Sequence, residues 1–258
     1  MKRALLALAL PTLLSCAHRE CPAPRADASS ILRPEGVNAV LWVQQSAEYE
    51  AAARQTFRAA LTALRLGLRG TLSAELTQKP RNEALPPAVI MDVDDTILSG
   101  TSFQATVIKG APFTLARWHR WLARGDAPAV PGAKEFIDAA TALNVTIFLV
   151  TNRPVAFKGA TERNLKLRGI TPGPRVRLLM KDESKGWTAA KHGRRRFVAA
   201  RYHIVLLIGD DLNDFIPSAK LGQKARQRIM KQHGWIFGER WFIVTNPYYG
   251  SWEEALLK

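Results

Sequence analysis

Five short apolar runs set the rhythm of this chain: 88–91, 146–150, 176–180, 204–208 and 242–245. Each is continuous rather than alternating, the pattern of strands covered on both faces. Helical stretches separate them, at Gly132–Leu143, Val155–Arg168, around Thr188–Ala200 and at Pro217–Lys231. Upstream, Gly36–Leu68 is helical, with Tyr49, Ala53, Phe57, Ala60, Leu61, Leu64 and Leu68 at helical spacing. Lys79-Pro80 and Pro86-Pro87 punctuate the approach to the first strand. Strand and helix in alternation predict an α/β fold, a Rossmann-like parallel sheet flanked by helices. Ligands of such sheets bind beyond the carboxyl ends of the strands. Ser99–Pro131 interrupts the rhythm with Phe103, Phe113, Trp118 and Trp121, and reads as an insertion placed to cover the site.

The polar residues that end these runs carry the chemistry. The first run leads into Asp92-Val93-Asp94-Asp95-Thr96, where neighbouring carboxylates disfavour joint ionisation unless a cation or phosphate network balances them. The second ends in Thr151-Asn152-Arg153, whose hydroxyl and amide can bind phosphoryl oxygens, although alone the pair reads as a helix N-cap. The third is followed by Lys181 and Lys185, and Lys185 is preferred as the phosphate-holding ammonium. The fourth leads into Gly209-Asp210-Asp211-Leu212-Asn213-Asp214, acids spaced to suit magnesium with its oxygen ligands. Each element alone has a bland reading as loop chemistry. Their order, each after an apolar strand, favours a single site.

Composition adds an envelope context. The chain has 258 residues, 47% of them apolar, and a formal charge of +15, which attracts anions. Lys2 and Arg3 precede an apolar run, Ala4–Leu14, too short to span a bilayer, and then Leu13-Leu14-Ser15-Cys16. This resembles a bacterial lipoprotein signal over residues 1–15, with Cys16 lipidated and 16–35 a flexible tether rich in Pro, Ala, Ser and Arg. An outer-membrane location is expected. Cys16 and Cys21 are the only cysteines, so the body of the chain holds neither a disulfide framework nor a cysteine zinc site. A Walker A sequence, a dinucleotide fingerprint and a His-x-x-x-His spacing are all absent.

Asp-x-Asp-x-Thr after a buried strand resembles the first motif of the haloacid dehalogenase-like (HAD) phosphotransferases. Trp42–Tyr49, Phe113–Trp121, Ala129–Ala133, Thr151–Arg153 and Tyr249–Glu253 resemble the class C acid phosphatases, more narrowly the lipoprotein e(P4)-like 5'-nucleotidases, over roughly Val37–Glu254. The resemblance implies a HAD phosphatase domain over 36–258, with cap elements at about 36–70 and 99–131. It implies a magnesium-dependent phosphomonoesterase acting on nucleoside and nicotinamide monophosphates. Asp92 would be the nucleophile and Asp94 the general acid/base. Thr151, Asn152 and Lys185 would hold phosphate, and Trp118 and Tyr249 would sandwich the base. Magnesium would bind Asp92, the Asp94 carbonyl and Asp210, with Asp214 behind it or on a metal-bound water. Expected partners are small phosphomonoesters, a membrane reached through the lipid anchor, and at most a second copy of the chain. Nucleic-acid binding through Arg194–Arg196 and Lys220–Lys231 is not expected. The alternatives are a binding lipoprotein with a retired site and a nucleoside phosphotransferase.

Overall fold

The computed structural model describes residues 36–80 and 85–256; the leader, Cys16 and the tether lie outside the described residues. Five parallel strands form one sheet: β1 Pro87–Met91, β2 Thr146–Pro154, β3 Val176–Lys181, β4 His203–Gly209 and β5 Trp241–Ile243, in the order β3-β2-β1-β4-β5. The order reverses beside β1, so β1 lies between β2 and β4 and their carboxyl ends open at one rim.

The strands' side chains divide between two cores, alternating except in β4, where Val205 and Leu206 face the same one beside a register shift against β1. Val89, Met91, Ile147, Leu149, Leu178 and Met180 face one; Ala88, Ile90, Phe148, Val150 and Leu179 face the other. Both are fully apolar, which explains why the runs show no polar alternation. On the first face lie α1 Val37–Gln45, α2 Ala47–Gly67, α3 Thr101–Ile108, α4 Leu115–Arg124, α5 Ala133–Ala142 and α6 Lys158–Leu167. Over the second lies α7 His192–Ala199, with Phe215 and Ile236. Two further helices, α8 Gln223–His233 and α9 Ser251–Leu256, sit towards the chain's end.

Several boundaries differ from the sequence expectation. The helical stretch 36–68 is broken at Ser46, whose hydroxyl accepts from the Tyr49 amide (3.0 Å) and starts α2 anew. α2 forms part of the sheet's covering layer, packing on β4, β5 and α5. Gly67 permits the closest approach: a Cβ there would lie 2.6 Å from Val205. The fourth helix of the alternation starts at Gln223 instead of Pro217, and the fifth strand ends at Ile243. Within the insertion, Phe103 and Trp121 are buried but Phe113 is half-exposed.

Candidate active site

β1 delivers Asp92 to the rim. The Asp92 amide donates to the Ile208 carbonyl (3.0 Å), continuing the β1–β4 ladder by one residue. The chain then turns tightly: the amides of Ile97 and Leu98 both donate to the Val93 carbonyl (2.9 and 2.8 Å). Asp95 occupies the left-handed region (φ 58°) in this turn, where its carboxylate accepts from the Gly100 amide (2.6 Å) and from the Tyr248 hydroxyl. The turn leaves Asp92 and Asp94 on the site side and buries Asp95 beneath it.

The ammonium that meets Asp92 is that of Lys191. It contacts Asp92 Oδ1 and reaches Asp214 Oδ1 at 2.6 Å, with all three side chains buried. This corrects the assignment to Lys185, which is exposed on the loop, and to Lys181, which lies beside Asp182 (3.8 Å). The reason is a turn the sequence does not advertise. The Asp182 amide donates to the Trp187 carbonyl (2.8 Å), and Asp182 and Gly186 both have positive φ. The loop after β3 thus doubles back, and the lysine that returns to the rim is the one immediately before α7.

Asp92, Asp210 and Asp214 each place a carboxylate oxygen so that all three lie within 4.8 Å of one another. Asp210 accepts from Thr96 Oγ1 (3.0 Å) and Asn246 Nδ2 (2.8 Å). Asp214 accepts from the Asp211 amide (3.0 Å) in a capping box over the short turn Leu212–Asp214. Asp214 thus completes the acidic cluster with one oxygen on Lys191 and the other on the Asp211 amide. Asp211 faces away, holding the Ser251 amide and hydroxyl (both 2.6 Å). Gly209 makes room for this geometry, because a Cβ there would lie 2.3 Å from Asp214 Oδ2. Gly209→Ala is expected to lower the urea midpoint, at a cost of about 1–3 kcal/mol from overpacking, and to weaken activity by displacing Asp214.

Burial first, then the Asp214 and Asp94 charges, raise the Asp92 carboxyl to about 7 against the pull of Lys191. Asp210 is pushed well above the usual carboxylate range by burial and by Asp214, Asp92 and Asp95. Burial also lifts Asp95 to about 6, opposed by its Tyr248 and Gly100 hydrogen bonds. Burial works against the charge of Lys191, but Asp214 and Asp92 outweigh it and hold the lysine protonated. So much clustered negative charge short of counter-charge fits a divalent cation with oxygen ligands.

The β2 end supplies the opposite wall. Thr151 is fully buried, and its hydroxyl lies 3.4 Å from Asp94 Oδ2. Asn152 is exposed; its side-chain carbonyl accepts from Arg194 Nη2 (2.7 Å), which leaves its amide nitrogen as the donor towards an anion. Arg194 also donates to the Thr151 carbonyl, and Arg195 pairs with Glu75 (2.8 Å). Both arginines are buried, so two thirds of the Arg194–Arg196 run is internal. Trp118 stacks on Trp121 (centroids 4.8 Å apart, 19° between planes). Tyr249 is 54% exposed; partial burial first, then the Asp94, Asp95 and Asp210 charges, raise its hydroxyl above the usual phenol range. Trp252 is half-buried, and its indole donates to the Tyr249 carbonyl (3.3 Å).

Sequence reading missed Lys191, Arg153, Arg194 and the acceptor-holding Thr96, Asn246 and Tyr248. Thr96 was visible as part of the first motif, and Arg153 as part of the second. The others come from segments whose approach to the rim depends on tertiary packing.

Fold and site together define a HAD-type α/β protein with a phosphatase-like acidic centre. The chain belongs to the HAD superfamily, subfamily IIIB (acid phosphatase), whose family model matches residues 27–252. It is similar to the class C acid phosphatase of Bacillus anthracis, with 30% identity and a TM-score of 0.73 over 88% of this chain and 89% of that one. The same enzyme with tungstate bound matches at 29% identity and a TM-score of 0.73, covering 88% and 90%. Among curated proteins, the stem 28 kDa and stem 31 kDa glycoproteins of Glycine max are each 26% identical over 148 residues, 55% of this chain and 56% and 49% of theirs. The chain spans about half the length of these curated relatives.

Proposed function

We propose that the protein is a magnesium-dependent phosphomonoesterase that forms an aspartyl-phosphate on Asp92, with nucleoside monophosphates and similar small esters as substrates. One observation carries the reading: a buried aspartate at the end of the central strand, paired to Lys191, with Asp210 and Asp214 gathered around it. The tungstate-bound relative supports it, since tungstate is a tetrahedral oxyanion of phosphate's form.

Asp92 attacks phosphorus, a carboxylate oxygen–phosphorus bond forms and the ester oxygen leaves. Asp94 gives its proton to that oxygen, then takes one from the water that cleaves the acyl phosphate. Lys191 offsets the repulsion between Asp92 and the incoming dianion. Thr151 and the Asn152 amide donate to the equatorial oxygens. Asp92, the Asp94 carbonyl and Asp210 would hold magnesium, with Asp214 beside them or on a metal-bound water, and the ion when bound supplies positive charge to the phosphoryl group.

A substrate panel of nucleotides, nicotinamide mononucleotide and sugar phosphates, assayed with magnesium, tests this. Activity is expected to fall more than about 100-fold in excess EDTA and to return on adding magnesium. Metal-replete protein that cleaves none of the panel would leave the binding-lipoprotein alternative. Nucleoside phosphate appearing when free nucleoside is added would favour phosphotransfer. Attachment to the outer membrane through Cys16 belongs to the same proposal; Cys16→Ser is expected to release the protein from the membrane fraction.

A further inference from the structure

Asp94 is held by a residue that has no part in the mechanism above. Arg153 follows Asn152 at the end of β2, and its side chain is fully buried. Nη2 and Nε both converge on Asp94 Oδ1 (2.8 and 3.0 Å), with Nε at 3.2 Å from Oδ2. The remaining arm, Nη1, donates to the buried Thr161 hydroxyl on α6 (3.3 Å). The Trp121 ring lies against the guanidinium, its centroid 5.7 Å from Cζ. Trp121 is fixed in turn by its indole N–H on Ser102 Oγ (2.9 Å) and by its stack with Trp118. The guanidinium is thus held on three sides, by Asp94, Thr161 and Trp121.

We infer that Arg153 is the positioning residue for Asp94, an inference that rests on the phosphatase reading. Two of its nitrogens meet on Oδ1, while Nε and the Thr151 hydroxyl (3.4 Å) reach Oδ2, so Arg153 sets the plane of the carboxyl that carries the transferred proton. When the Asp92–phosphorus bond forms and the phosphorus–oxygen ester bond breaks, that proton passes from Asp94 to the departing oxygen, and Asp94 is left as a carboxylate facing the Arg153 charge. The aromatic pair Trp121–Trp118 joins this grip to the insertion, so the acid's orientation depends on how the insertion is packed.

Misplacing a general acid penalises substrates by how much help their leaving group needs. Loss of a merely structural arginine would instead lower all rates alike. The test is kcat/KM, which reports through the first irreversible step, for p-nitrophenyl phosphate and phenyl phosphate. The two have the same ring, but the phenolate is the poorer leaving group. Arg153→Lys keeps the charge and removes the fork. It is expected to cost on the order of 10- to 100-fold on phenyl phosphate, part of what a positioned acid contributes, and several-fold less on p-nitrophenyl phosphate. In an Asp94→Asn background the same substitution is expected to add no leaving-group-dependent loss. Where Arg153→Lys does not fold, Thr161→Val, which removes only the Nη1 acceptor, carries the test with the same selectivity and a smaller loss. Equal losses on both esters, or a selective loss that persists without Asp94, would overturn the inference. A wild-type protein that cleaves neither ester would instead overturn the phosphatase reading.

Discussion

Lys191→Met is expected to reduce phosphomonoester hydrolysis by about 10²–10³-fold, the scale of losing one preorganised charge-stabilising donor. In metal-free buffer it is also expected to destabilise the fold by about 3–5 kcal/mol. Both follow from one geometry. The ammonium bridges Asp92 and Asp214, all three side chains are buried, and none of the three charges has water to fall back on. Removing the lysine leaves two buried carboxylates beside Asp210 with their main counter-charge gone. Lys185→Met is the matched control: Lys185 is exposed on the doubled-back loop, and its loss is expected to change stability by less than about 0.5 kcal/mol and activity by less than about twofold. Urea unfolding with and without magnesium separates the two effects, because the cation replaces some of the missing charge. Equal behaviour of the two variants would mean that the bridge does not exist in solution.

The contrast between these lysines shows where the sequence speaks and where it falls silent. Strand ends were legible because a run such as Ile204–Ile208 is apolar on every position and then stops at Gly209-Asp210; the covering of both faces writes itself into composition. Asp92 and Asp210 were readable for the same reason, since each follows the last residue of a strand; Asp94 and Asp214 come in the turns just beyond, and Thr151 is where the apolar part of β2 stops. Lys191 sits where a loop ends, and the loop's path is set by the Asp182–Trp187 turn and by α7 docking on the second core, neither of which has a periodic signature. Nothing local marks Arg194 and Arg195 as buried, since runs of arginine usually lie at the surface. Their burial follows from partners distant in sequence, Glu75 and the Thr151 carbonyl. The bonds from Asn246 to Asp210 and from Tyr248 to Asp95 tie the segment after β5 to the rim, and no local pattern could have announced them. The split of 36–68 at Ser46 was within reach, as Ser46 and Tyr49 are an N-cap pair on sight.

In EDTA the protein is expected to gain stability as the pH falls from about 7.5 towards 5, the reverse of the usual behaviour of paired carboxylates. Asp92 rises from an ordinary 3.8 to about 7, mainly through burial, and Asp95 to about 6 for the same first cause. Asp210 moves in the same direction. Between the unfolded carboxylate range and these raised values the folded protein binds protons that the unfolded chain releases. Their contribution is therefore fully present below about pH 4 and is lost as the pH rises through 6 to 7. Shifts of the size at Asp92 and Asp95 are worth a few kcal/mol each at about 1.4 kcal/mol per pH unit, and the acids share one field, so their effects do not simply add. Magnesium supplies the positive charge that protons supply in its absence, and its saturating presence is expected to flatten or reverse the slope. Urea midpoints at pH 5, 6 and 7.5, with EDTA and with magnesium, read the difference directly. Asp92→Asn removes one of the titrating acids and is expected to shrink the EDTA slope while raising stability at pH 7.5. A midpoint that stays level in EDTA would show that these acids ionise freely, and that the crowding around Asp92 and Asp210 is relieved by something other than a cation.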